Sequence, residues 1–144
     1  MAHMVFGGLF DRHPGFKLIT HHMGGMIPYF EGRVGPGWDQ LGTRTSDEDY
    51  TVITKEMKEK GRRPLDYFRN FYADTALFGA KAGTKCGLEY FGADHVLFAS
   101  DYPFDPVPGQ FIRETVAIID SLEISEADRA KIYHGNAERL LRLN

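Results

Sequence analysis

Cysteine is almost absent from this chain: Cys86 stands alone among 144 residues. An internal disulfide is thereby excluded, and so are a CxxC redox pair and a thiolate zinc cluster. The side chain is read as a small buried hydrophobe and is assigned no chemistry. Excess basic charge is also missing, since 17 Lys and Arg against 20 Asp and Glu leave a formal net charge of -3. That balance gives no electrostatic footprint for nucleic acid. Long apolar runs are lacking, which argues against a membrane span, and the N-terminus shows none of the regions of a secretion signal. The chain is expected in the cytoplasm. There is no internal repeat and no low-complexity tract. What is present, 42% hydrophobic and 26% charged residues, is the composition of a soluble globular domain. The length allows one real core but falls short of a full α/β barrel.

Met1-Ala2-His3-Met4 reads as an expression-vector remnant, which leaves residues 5–144 as the domain and removes His3 from consideration as a ligand. The pattern that follows opens in mid-helix without a cap, as though cut from something longer. VFGGLFDR at 5–12 has the apolar spacing of a helix end stopped by His13-Pro14-Gly15, and FKLIT at 16–20 is a short strand leading to His21-His22 and two glycines. A helix carrying Met26, Ile27, Tyr29 and Phe30 as its apolar stripe is expected over 23–33, with Pro28 in its first turn. Residues 35–63 turn polar and glycine-bearing and read as an insertion: a lid, an interface element or a plain solvated loop, with a charged helix over 51–60. A short helical turn over 64–70 leads to a strand over 71–76, a helix over 76–91 and a strand from Val96. Helices then run to the end, with Ser125 and Asn136 as caps. Strand and helix alternate, the order that builds a parallel sheet.

The organising stretch is HVLFASDYPFDP, 95–106. A four-residue apolar run bounded by polar residues and followed by proline is a buried strand, and Asp101 sits where it stops. Two units earlier His22 stands at the end of another strand. In a parallel sheet both would face the edge where α/β enzymes keep their sites. A carboxylate there can ligate a divalent metal, and an imidazole beside it can move a proton. The alternative is that both only satisfy backbone groups at strand ends. His21 is the rival to His22, but alternation along the strand would aim it the other way.

Four segments in order carry a resemblance: ITHHMGGMIPYFEGR, FYADTALFG, VLFASDYPF and IYHGNAERLLRL. They resemble strands six, seven and eight and the C-terminal helix of the amidohydrolase-related family that includes aminocarboxymuconate-semialdehyde decarboxylase. The resemblance covers nearly the whole chain. It implies an α/β fold that is the C-terminal part of a TIM (β/α)8 barrel of the metal-dependent hydrolase type, about strands six to eight plus the C-terminal helices. It further implies one divalent metal, most often zinc, with Asp101 as metal ligand and catalytic residue and His22 as the acid/base. Arg33 would reach a substrate carboxylate, across a dimer interface; a solvated helix charge is its alternative role.

The chain departs from that family in a chemically decisive way. It has no His-x-His and no strand-five histidine, so one carboxylate remains of the family's ligand set. Three or four protein ligands make such a site. The expectation is therefore the C-terminal fragment of a decarboxylase or hydrolase of a small carboxylated or aromatic substrate, with the isolated chain inactive and metal-poor. The competing expectation is a non-catalytic α/β fragment that only self-associates. Open sheet edges point to a homo-oligomer in either case.

Overall fold

The computed structural model describes residues 1–40 and 51–143, so the middle of the predicted insertion lies outside the described residues. The chain divides into two compact units, Met1–Lys17 with Phe30–Asn70, and Leu18–Tyr29 with Phe71–Asn144.

The first unit is helical: α1 (Ala2–Phe6), α2 (Leu9–Arg12), α3 (Glu31–Asp39), α4 (Thr51–Glu59) and α5 (Pro64–Phe68). The predicted helix end over 5–12 is broken in two because Gly8 adopts φ 72 at the start of α2. The helix expected over 23–33 begins only at Glu31 and runs on through Gly35, Pro36 and Gly37, which the sequence marks as loop. A proline there deletes a helical hydrogen bond at a cost of about 3 kcal/mol. Tertiary contacts offset it. Trp38 stacks flat on Phe68, ring centroids 3.9 Å apart, and Asp39 receives a forked pair of bonds from Arg63 at 2.6 and 3.1 Å. Pro64 opens α5 where its missing N–H costs nothing, and the Asp66 carboxylate closes the turn by accepting the Arg63 N–H at 2.7 Å. Tyr67 and Phe68 are buried in this unit's core with Val5 and Leu65.

The second unit holds a parallel sheet in the order β1 (Ile19–Thr20), β2 (Tyr72–Asp74), β3 (Val96–Leu97). Ile19 and Thr20 pair with Tyr72 and Ala73, and Ala73 and Asp74 pair with Val96 and Leu97. The strands are shorter than the sequence suggests, but they lie where it puts them. Four helices flank them: α6 (Lys81–Phe91), α7 (Gln110–Asp120), α8 (Glu126–Ala130) and α9 (Asn136–Leu141). The helix expected from residue 76 starts at Lys81 because Phe78 and Gly79 take positive φ, 51 and 79°, and keep the chain in a turn. Ser125 caps α8 as expected, accepting the Asp128 N–H at 3.1 Å.

Asn136 does not cap. Helices α8 and α9 are joined by a wide π turn, Lys131–Gly135, and Asn136 lies fully buried inside the continuous helix. Its amide donates to the carbonyls of Ala93 and Val96, each at 2.7 Å, and so ties the terminal helix to the start of β3. Within that wide turn the Ile132 carbonyl accepts the Phe98 N–H at 2.8 Å. Tyr133, beside Phe98, donates its hydroxyl to Asp120 at 2.8 Å; burial, with that carboxylate, pushes the phenol up to about 12. No helix among the described residues is long and apolar enough to cross a membrane.

Candidate functional site at the carboxyl ends of the strands

The chain leaves β1 at Thr20 and enters a left-handed turn. His22, Met23, Gly24 and Gly25 have φ of 54, 52, 73 and 63° in succession. For the two non-glycine residues this conformation costs about 1–2 kcal/mol each, so something must hold it. The holder is Asp74, at the end of β2 and 5% exposed. Its Oδ1 accepts the His22 N–H at 2.7 Å and the Ala76 N–H at 3.2 Å, while its Oδ2 lies 2.7 Å from the Nδ1 of His21. Packing closes the turn from below. Met23 is buried against Gly87, where an added Cβ would come within 2.7 Å of Met23 Cβ, and a Cβ on Gly24 would meet the Phe91 ring at 2.8 Å.

The His22 ring is exposed and tied at one point, Nδ1 lying 2.6 Å from the Ala76 carbonyl oxygen. A carbonyl only accepts, so the proton is assigned to Nδ1, which leaves the Nε2 lone pair free when the ring is neutral. Phe78 flanks the ring at 6.4 Å between centroids. The expectation that strand alternation separates His21 from His22 does not hold. The strand has already ended at Thr20, and the two rings sit 5.7 Å apart, one on the Asp74 carboxylate and one on the Ala76 carbonyl.

The end of β3 is secured differently. Thr75 replaces a rung of the backbone ladder with its hydroxyl, accepting the Ala99 N–H and donating to the Ala99 carbonyl, both at 2.9 Å. Its own N–H donates to the Leu97 carbonyl at 3.1 Å. Ser100 follows, buried, and then Asp101 at φ 67. The Asp101 carboxylate is half-buried and has no hydrogen-bonding partner among the described residues. β2 separates β1 from β3, so with strands ~4.8 Å apart the two chain exits are about 10 Å apart.

The two sequence-predicted residues of this unit thus emerge at one edge of one sheet. Arg33 belongs to the other unit, on α3, where its side chain is exposed. Asp74 and Thr75 were missed as site residues. The signal for Asp74 was the same one that singled out Asp101, an acid at the end of a buried strand, but His22, whose backbone it holds, lies 52 residues away along the chain. Cys86, expected in the core, is half-buried and lines a cavity of about 310 Å³ together with His22, Met23, Met26, Pro28 and Leu77. Among the described residues no lysine or arginine lines that cavity.

A zinc centre is held by three or four protein donors. Among the described residues no group of three or more His, Cys, Asp or Glu side chains is placed to hold one. Asp101 by itself does not fit a complete metal centre.

The chain was then compared with known proteins. It is 34% identical over 143 residues to the gamma-resorcylate decarboxylase of Polaromonas sp. strain JS666, an alignment covering 98% of this chain and 39% of that one. It is 29% identical over 144 residues to the 2-amino-3-carboxymuconate-6-semialdehyde decarboxylase of Dictyostelium discoideum, covering 98% and 35%. Among solved structures it is similar to the dihydroxybenzoic acid decarboxylase of Polaromonas sp. JS666 with bound manganese and the inhibitor 2-nitroresorcinol. That match has a TM-score of 0.71, 30% identity, and coverage of 98% of this chain and 38% of the other. The chain thus spans well under half the length of the relatives it matches. The family profile described as Amidohydrolase matches residues 1–143, and the chain belongs to the amidohydrolase family.

Proposed function

We propose that this chain is the C-terminal portion of a metal-dependent decarboxylase acting on a small hydroxylated aromatic carboxylate, and that its strands are the sixth to eighth of a (β/α)8 barrel. The observation that carries the proposal is the anchoring of His22: Nδ1 bonded to the Ala76 carbonyl, Nε2 free, on a turn whose strain is held by Asp74. Such a histidine can hold a proton at one defined atom and hand it over.

Decarboxylation needs that. The bond between the ring carbon and the carboxylate breaks, carbon dioxide leaves, and the electron pair stays on the ring carbon, which must take up a proton. His22, protonated on both nitrogens, delivers it from Nε2 and is left as the Nδ1–H tautomer that the Ala76 carbonyl stabilises. Arg33 of a second copy of the chain takes the role of binding the substrate carboxylate across a dimer interface, its fork of donors matching two oxygens. Asp101 would hold a divalent cation only together with donors from other residues, and the chemistry such a cation would supply is Lewis acidity. The apolar cavity beside His22 suits a ring but not its carboxylate, which is consistent with the charged end being held elsewhere.

The test is carbon dioxide release from 2,6-dihydroxybenzoate and related hydroxybenzoates by the longer protein encoded with this segment, supplied with manganese or zinc. Turnover that His22→Asn abolishes supports the proposal. A complete, metal-loaded protein that turns over none of them would refute it. The isolated chain is expected to self-associate, because among the described residues β1 is the end strand of the sheet and its Ile19 side chain is exposed. Sedimentation as a clean monomer would remove that part.

A further inference from the structure

We propose that Asp74 is the positioning residue that fixes the proton of His22 on Nδ1; this rests on the reading of His22 as the proton-transfer group. Histidine has two ring nitrogens, and the one that carries the proton is decided by the bond the ring makes. Here that bond goes to the carbonyl of Ala76, and Asp74 controls both of its ends. Oδ1 accepts the backbone N–H of His22, which holds the residue at φ 54, and also the N–H of Ala76, the residue whose carbonyl receives the ring. One buried oxygen therefore sets the separation between imidazole and acceptor. The Nδ1 of His21 occupies the other oxygen and keeps the carboxylate from rotating away. Without Asp74 the turn relaxes toward the ordinary negative φ of a non-glycine residue, the ring loses the Ala76 carbonyl, and the proton distributes between the two nitrogens.

The experiment is long-range proton–nitrogen correlation on the 144-residue chain with 15N-labelled histidine. The wild type is expected to show His22 as the Nδ1–H tautomer above its titration midpoint; an Nε2–H tautomer there overturns the proposal outright. Asp74→Ala is expected to lose that signature while His95, whose ring stacks on Tyr72 in the same sheet at 4.5 Å, keeps its resonances and reports that the unit is folded. Retention of the Nδ1–H form in folded Asp74→Ala defeats the inference. Should that variant fail to fold, Asp74→Asn decides, because its amide oxygen still accepts from His22 and Ala76: the Nδ1–H form must persist, and its loss in folded Asp74→Asn counts against the proposal. The readout does not use activity. A correct tautomer in an inactive complete enzyme would sink the functional reading and leave the positioning role standing.

Discussion

At the end of β1 the backbone of His22 is bonded to Asp74 of β2 and its ring to Ala76 just beyond that strand, whereas at the end of β3 the backbone is tied through Thr75 and the Asp101 carboxylate is left without a partner among the described residues. The two exits leave the same sheet edge, so the difference is one of chemistry. A proton carrier needs a fixed tautomer, and fixing it takes partners. A carboxylate that is to bind something else needs its lone pairs free and only its backbone held. On the proposed function, each end is built for its own task.

Substitutions at the two ends should therefore behave differently. The largest effect is expected from His22→Asn in the complete enzyme: a loss of about 10²–10⁴ in kcat, the contribution of a positioned acid/base, with an unchanged thermal midpoint. Activity within a fewfold of wild type would break the contrast. Next comes Thr75→Val, which leaves the N–H and carbonyl of Ala99 without their shared partner and should destabilise the chain by about 1–3 kcal/mol in urea unfolding. Gly87→Ala drives a methyl into Met23 and should cost a similar amount, about 1–3 kcal/mol, while also shifting the His22 resonances. The smallest effect is expected from Asp101→Asn, under about 0.5 kcal/mol in stability, because the carboxylate makes no bond among the described residues and asparagine tolerates positive φ. A loss above 1 kcal/mol there would show that Asp101 has a structural partner after all.

Much of this arrangement was legible beforehand. Strands placed just before His22 and Asp101, though shorter than expected, and the alternation of strand and helix followed from apolar runs and the residues that stop them. The turn after His22 was not legible. Met26, Ile27, Tyr29 and Phe30 have a helical stripe, yet Met26 and Tyr29 are exposed, because positive φ at residues 22–25 delays the helix to Glu31. The helix through Gly35-Pro36-Gly37 was invisible for the opposite reason: local propensity reads loop, and the contacts that overrule it, Trp38 on Phe68 and Asp39 with Arg63, join residues far apart in sequence. Asp74 and Asn136 share that difficulty. Each is recognisable as a polar residue at an element boundary, but their roles are defined by groups that sequence order does not bring near.

The bond from Phe98 to Ile132 has a consequence for hydrogen exchange. The Phe98 amide, one residue past β3, is covered by a helical carbonyl and not by another strand. Its solvent exchange should follow the opening of the terminal helix and not that of the sheet. A single amide near the Asp101 exit would then report whether the C-terminal helix is seated.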